Sequence, residues 1–283
     1  MVETDPSASK DEVLGGTVNV VVVKIGGSSI TNKAKKESVN QDALDWFAKI
    51  VSEAVGDCYT SIDHTNRDNS ASSPRRTAFI IIHGAGSFGH HSAKEYGLSG
   101  QTKAPSNSNS TVSLTQNKLR KKGLSETRLS VQKLNHMVVA TLLRFGVNAV
   151  GISPGFGVPG LEAHLHLQEE PSKALANVSL RTLKAGLIPV LHGDACLYGN
   201  DAAILSGDTL VEVLGSLPWV SNTIFITDVD GVFDEDPRKN PNARLLERIF
   251  VDPATGAIQM DLNASGSSHE HDVTGGLEVS SFV

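Results

Sequence analysis

The chain has 283 residues, one large domain or two small ones at roughly 100–200 residues per domain. Its 25 Lys and Arg against 31 Asp and Glu leave a formal charge of −6, a poor match to a duplex nucleic-acid binder, which needs surplus cations. Apolar residues at 39% argue against global disorder, and no apolar run approaches the ~20 residues of a membrane span.

Residues 1–16 are polar and end in Gly15 and Gly16, as expected of a flexible N-terminal arm. Glu3, Asp5, Asp11 and Glu12 crowd this stretch and no apolar core follows, which fits neither a secretory signal nor a transit peptide. Cys58 and Cys196 are too few for a disulfide framework or a metal cluster. A cytoplasmic protein with no membrane or nucleic-acid partner is the expectation.

From residue 17 to 283 a single domain is expected. Val18–Ile25 (VNVVVVKI) reads as the first strand, and 41–55 follows as a helix with Ala43, Leu44, Phe47, Ala48, Ile50 and Val51 largely on one side. A polar insertion covers about 59–76. The second strand is Ala78–His83, and a second polar insertion covers about 104–116. Ser125–Phe145 places Leu129, Leu134, Met137, Val138, Leu142 and Phe145 at helical spacing, with Gly146 as its stop. Asn148–Ser153 is the third strand, Ser172–Ala185 a helix, Leu187–His192 the fourth strand, Asp208–Leu217 a helix and Thr223–Thr227 the fifth strand. These strands do not alternate apolar with polar residues, as suits strands covered on both faces. The pattern predicts an α/β fold, a mainly parallel sheet with helices on both sides.

Glycine recurs where the strands end. Lys24-Ile25-Gly26-Gly27-Ser28 follows the first, His83-Gly84-Ala85-Gly86-Ser87-Phe88-Gly89-His90 the second and Ser153-Pro154-Gly155 the third. His192-Gly193-Asp194 follows the fourth and Thr227-Asp228-Val229-Asp230-Gly231 the fifth. Such loops let backbone N–H groups approach an anion closely, and ligands of open α/β sheets bind at the carboxyl ends of the strands. A phosphate site is the joint reading. No G-x-x-x-x-G-K-[ST] is present, which excludes a P-loop. Gly84-x-Gly86-x-x-Gly89 matches a dinucleotide fingerprint, but the stretch 101–110 that should supply its ribose-binding acid has none.

Phosphoryl transfer needs cations and amides around the migrating group. Lys24 sits at a strand end beside the Gly26-Gly27-Ser28 turn, and Lys33 can fold back from the loop that follows. His90 falls in the first turn of a helix running through Ala93 and Tyr96, a seat for an anionic group. No general base stands out, which suits an acceptor that is already an anion. Glu162-Ala-His164-Leu-His166 and His269-Glu-His271 read as solvated rather than metal-binding, and Lys118–Lys122 (KLRKK) as a solvated face.

KIGGSSIT at 24–31, HGAGSFGH at 83–90, HGD at 192–194, LSGD at 205–208 and TDVDGVFD at 227–234 resemble the amino acid kinase family from residue 18 to about 276. GAGSFGHHSAKEYGL, TRLSVQKLN and GISP are most similar to its branch that phosphorylates isopentenyl phosphate in isoprenoid biosynthesis. The resemblance implies a three-layer αβα sandwich, with the acceptor on about 17–185 and the nucleotide on about 186–283. It implies ATP with Mg2+, small-molecule substrates and a homodimer. Lys24 would bind ATP phosphates, with Gly26, Gly27 and Ser28 as a backbone cradle, and Lys33 would stabilise the transition state. Gly84, Ala85, Gly86 and His90 would hold the acceptor phosphate, helped by Gly193, and Gly86 would also face ATP. Asp194 and Asp208 would orient the lysines and nearby amides, and Thr227, Asp228 and Gly231 would line the nucleoside side. The sequence departs from the pattern after Asp272-Val-Thr-Gly-Gly-Leu277, where Ser280 stands near a family lysine. That departure implies a truncated chain, and it keeps a catalytically impaired or regulatory relative open, as well as a family enzyme with another anionic acceptor.

Overall fold

The computed structural model describes residues 18–55, 76–98, 114–163, 168–237, 239–252 and 258–260. The expected arm at 1–16, most of both polar insertions, Cys58, His164, His166, His269, His271 and the C-terminal departure lie outside the described residues. The chain divides into two compact units, one running through Ile226 and one from Thr227.

The first unit is built on five parallel strands: β1 (Val18–Ile25), β2 (Arg76–His83), β3 (Ala149–Ile152), β4 (Ile188–His192) and β7 (Val220–Ile226). Their order is β3-β4-β2-β1-β7. β-branched residues dominate β1 and β2, and both faces of these strands are buried. Val20, Val22, Ile80 and Ile82 pack one way, against Leu175 and Leu180 of α6 (Glu169–Lys184) and Leu210 and Leu214 of α7 (Gly207–Gly215). Val21, Val23, Phe79 and Ile81 pack the other way, against α2 (Gln41–Val55) and α4 (Leu114–Arg144). Helices on both faces make the three-layer αβα sandwich that the motifs implied.

Helix α2 begins where expected. The Asn40 carboxamide accepts from the Ala43 amide at 3.2 Å, a side-chain cap, and Leu44, Phe47, Ala48, Val51 and Val55 form the buried stripe. Ile50 stays exposed at the margin. Helix α4 starts eleven residues before the expected Ser125, inside the second polar insertion. Polar residues hid its first turns, yet Arg120 of the KLRKK run is buried rather than solvated. Its guanidinium donates to Asp201 Oδ1 at 2.8 Å, to the Ala202 carbonyl at 2.6 Å and to the Gly97 carbonyl. The core face of α4 is Val131, Leu134, Val138 and Leu142, whereas Leu129 and Met137 are exposed. Gly146 (φ +80°) ends the helix, and the Val147 amide returns to the Leu142 carbonyl at 2.9 Å.

An antiparallel hairpin, β5 (Asp194–Tyr198) with β6 (Asp201–Leu205), was not anticipated; it leaves β4 directly at Gly193. Three short helices complete this unit: α1 (Gly27–Ile30), α3 (Gly86–Glu95) and α5 (Pro154–Gly157). In the second unit, β8 (Ile249–Val251) pairs antiparallel with β9 (Ile258–Met260), and Asp234 accepts from the Arg244 amide at 2.7 Å. Among the described residues no helix is long and apolar enough to cross a membrane.

Phe47 is 1% exposed between α2 and the sheet. Phe47→Ala should cost about 3–5 kcal/mol through lost burial and a cavity. Glu53→Ala, on the solvent face of the same helix, should stay within about 0.5 kcal/mol. Urea denaturation of both variants checks the pair.

Candidate active site

Register brings the expected loops together. Ile25 lies opposite His83, and His83 opposite His192, so β1, β2 and β4 end at one level. The loops that follow touch backbone to backbone. A Cβ on Gly84 would lie 2.6 Å from the Gly27 nitrogen, and one on Gly86 2.5 Å from the Gly27 carbonyl oxygen. Gly86 also holds φ +49°, a region that favours glycine. Thr31 locks the joint: its hydroxyl donates to the Gly27 carbonyl at 2.6 Å and accepts from the Ser87 amide at 3.0 Å.

The Gly26 amide donates to the Ile226 carbonyl at 2.8 Å, Gly84 to Ile25 at 3.0 Å and Gly193 to His83 at 3.0 Å. These three amides are engaged within the rim, and Gly84 also meets the Gly27 backbone closely. Ser28 lies in α1, and Gly86 opens α3 after Ala85 at its N-cap.

Lys24 ends β1 with its ammonium 2.7 Å from Asp208 Oδ1 and 5.9 Å from the Phe225 ring centroid. Asp208 stands in the first turn of α7, whose N-cap Ser206 accepts from the Asp208 amide at 3.1 Å. The carboxylate therefore meets both a helix N-terminus and a lysine. Lys33 lies on the loop that leads from α1 to α2. His90 is the fifth residue of α3, one turn later than expected, and its ring is exposed. Its pKa lies below the ordinary histidine value, through partial loss of water, then the Lys33 charge, then His91. Lys33 and His90 are thus electrostatic neighbours.

Asp194 meets an arginine and nearby amides. Its carboxylate is fully buried and accepts from Arg128 at 2.5 Å, the Ser153 hydroxyl at 3.1 Å, and the amides of Gly155 and Ala195 at 3.0 and 2.9 Å. Arg128 donates its other arm to Ser153 at 2.8 Å and lies 4.7 Å from the Phe156 ring centroid. Sequence reasoning missed Arg128, although it sits three residues before Val131 on the core stripe of α4. A cation on an apolar stripe signals a buried partner. Neighbouring Cys196 is buried, which pushes its thiol up to about 12.

Two residues of the strand-end motifs had been given no role of their own. His83 and His192, both 0% exposed, stack with ring centroids 5.7 Å apart beneath the glycine loops. Each Nδ1 lies 3.0 Å from the carbonyl of the next glycine, Gly84 and Gly193, and so must be the protonated nitrogen. His83 Nε2 then accepts from Asn135 at 3.1 Å. Burial first, then His192, lowers the His83 pKa to about 3, leaving the ring neutral.

Thr227, Asp228 and Gly231 belong to the second unit. There Gly231 holds φ +149°, and the Leu246 amide donates to the Val232 carbonyl at 2.8 Å. Glu162 is tied to the Gly199 amide at 3.1 Å and to Gln168 at 3.2 Å, and no His, Cys, Asp and Glu cluster able to hold a metal occurs among the described residues.

The model of the amino acid kinase family matches residues 19–280. An isopentenyl phosphate kinase of Arabidopsis thaliana is 31% identical over 91% of this chain and 80% of its own length. One from Methanothermobacter thermautotrophicus is 29% identical over 91% of this chain and 83% of its own. A solved structure of isopentenyl phosphate kinase superposes with a TM-score of 0.59 at 27% identity, covering 81% of this chain and 79% of the other. A substrate complex of isopentenyl phosphate kinase gives 0.55 at 26%, covering 80% and 78%.

Arg128→Ala leaves the Asp194 carboxylate buried without its cation and should destabilise by about 3–5 kcal/mol in urea titrations. Arg128→Met combined with Asp194→Asn should recover most of that loss. A folded-state His83 pKa near 3 against 6.5 unfolded means the unfolded chain binds the extra proton. Stability should therefore fall as pH drops from 6.5 toward 3, by about 2 kcal/mol at pH 5 from this residue alone. His83→Asn should flatten that acid limb, measured by urea midpoints at pH 7 and pH 5.

Proposed function

The chain belongs to the amino acid kinase family, and from that premise we propose that it transfers the γ-phosphoryl group of ATP to isopentenyl phosphate, giving isopentenyl diphosphate. The observation that carries this reading is the pressed contact between the Gly27 and Gly84–Gly86 loops. It ties Lys24, at the end of β1, to the helix that bears His90, while the charge of Lys33 is felt at the same imidazole.

An oxygen of the acceptor phosphate attacks the γ-phosphorus as the bond to the β–γ bridging oxygen breaks, and ADP leaves. An alkyl monophosphate is already an anion near neutral pH, so no side chain has to remove a proton. Lys24 meets the nucleotide phosphates with its orientation fixed by Asp208. Lys33 follows the migrating group and offsets the negative charge that gathers on it. His90, neutral when unliganded, donates a ring N–H to the acceptor phosphate, and the Ala85–Gly86 turn adds the start of α3. Gly26, Gly27 and Ser28 shape the phosphate side, and Thr227, Asp228 and Gly231 are assigned to the nucleoside. Mg2+ would supply charge neutralisation on the β- and γ-oxygens. The donor set suits a cation carried in by those oxygens rather than by a protein cage, since the Asp208 carboxylate is engaged with Lys24.

The reading includes a cytoplasmic homodimer with no nucleic-acid or membrane partner. Exposed Trp46 and Ile50, one turn apart on α2, support a self-association surface.

Incubation with Mg-ATP and isopentenyl phosphate, following ADP, tests the assignment. Turnover is expected, and His90→Ala should lower kcat/KM at least about 100-fold while ATP binding measured by calorimetry persists. Turnover with other anionic acceptors but none with isopentenyl phosphate would overturn the substrate.

A further inference from the structure

The loop that carries Lys33 is held from three directions. At its base Thr31 bridges Val39, and the Asn32 amide donates to the Ser38 carbonyl at 2.8 Å. Toward α3, the Ser38 amide donates to the Ser87 hydroxyl at 3.2 Å, and that hydroxyl donates back to the Ser38 carbonyl at 3.2 Å. The Glu37 amide donates to the Ser87 carbonyl at 3.3 Å, and His91 Nε2 lies 3.2 Å from the Lys33 carbonyl. Toward α4, both oxygens of Glu37 meet the Lys133 ammonium, at 3.2 and 3.0 Å.

Glu37 makes this last contact from a left-handed backbone, φ +52°, the sole positive φ outside glycine among the described residues. A bulky side chain is rarely held there, and such strain persists where the surroundings determine the conformation. The Ser130 hydroxyl first, and Lys133 second, hold the Glu37 carboxyl below the usual carboxylate range, so it is charged through neutral pH. Helix α4 is itself anchored on the sheet by Leu134 and Val138. The ion pair therefore ties a short loop to a rigid element.

We propose that Glu37 and Lys133 are positioning residues, whose ion pair draws the 32–38 loop against α4 and so keeps the Lys33 ammonium beside His90 of α3. The kinetic consequence rests on the phosphoryl-transfer reading above; the placement of Lys33 does not. Exposed ion pairs add little to global stability, so the fold should survive their loss and the effect should be local.

The test is Glu37→Gln in the full chain, read by turnover and by titration of His90 in ¹³C-histidine NMR, with the resonance assigned from His90→Gln. Lys33 and His91 are the charged groups that act on His90. Loss of the Glu37 carboxylate alone would lower the His90 midpoint, because an anion that favours the imidazolium is gone. Withdrawal of Lys33 would raise it toward the ordinary histidine value, so the sign separates the two effects. The expected result is a raised His90 midpoint, a fall in kcat of about three- to ten-fold and an unchanged KM for ATP. Glu37→Lys combined with Lys133→Glu should restore the midpoint and the rate. An unchanged or lowered midpoint in Glu37→Gln, or no recovery in the charge-swapped chain, overturns the proposal. A raised midpoint in a protein that never turns over isopentenyl phosphate would support the strut and remove the substrate assignment alone.

Discussion

Two stretches of backbone meet directly at the rim of the sheet, locked by the Thr31 hydroxyl, and the rest of the site depends on that contact. Gly27 presses on Gly84 and Gly86 so closely that a single Cβ at any of the three would collide with main-chain atoms. Main chain cannot give way as a flexible side chain can, so the contact fixes the distance between the ends of β1 and β2. Lys24 is anchored on one side and the start of α3 on the other. Cations and amides arranged before the substrate arrives need no reorganisation during transfer, which is where catalytic advantage resides in this chemistry.

Below the rim, the problem is to place polar groups in an apolar layer without adding charge that would compete for phosphate. The His83–His192 stack does this by staying neutral. Each ring donates Nδ1–H to the following glycine carbonyl, which sets the plane of the peptide at the turn. Asn135 takes the remaining nitrogen of His83 and bonds the Val190 carbonyl at 3.2 Å, linking α4 to β4. Asp194 is handled differently. Its buried carboxylate is saturated by Arg128, the Ser153 hydroxyl and two backbone amides.

The sequence made the sheet and the glycine rim legible because both rest on local rules. Runs such as VNVVVVKI have no polar face, and a glycine at each strand end is visible without knowledge of neighbours. Helix α2 was placed to the residue because Asn40 caps it and its stripe is uninterrupted. The first turns of α4 were not, since Lys118, Arg120, Lys121 and Lys122 look solvated until Asp201 and the Ala202 carbonyl are brought to Arg120 from the hairpin, and the Gly97 carbonyl from the turn after α3. The hairpin was hidden for a related reason, being too short and too mixed in polarity to stand apart from the loop after β4. The partner of Asp194 was equally out of reach, 66 residues away along the chain. The Lys24–Asp208 pair emerged from motif resemblance alone, because nothing local links residues so far apart.

The distribution of cation types completes the picture. Arginine is placed where the scaffold is meant to stay still. Arg120 and Arg128 each spread a planar fork over several fixed acceptors, a geometry that loses little rotamer freedom per bond formed and leaves no proton to give up. On the proposed reading, Lys24 and Lys33 carry the charge that follows a group that moves. The ammonium of Lys24 touches a carboxylate that is itself half exposed on α7, so water and phosphate can compete for it. Lys33 stands on a loop rather than on the sheet, which gives its ammonium reach, and reach without restraint would scatter it. The clasp of Ser87 and Glu37 on that loop limits the backbone while leaving the four-carbon stem free. Rigid backbone with a flexible terminal charge suits a phosphoryl group that shifts between donor and acceptor oxygens, and a guanidinium locked in a bidentate pair could not make the same excursion.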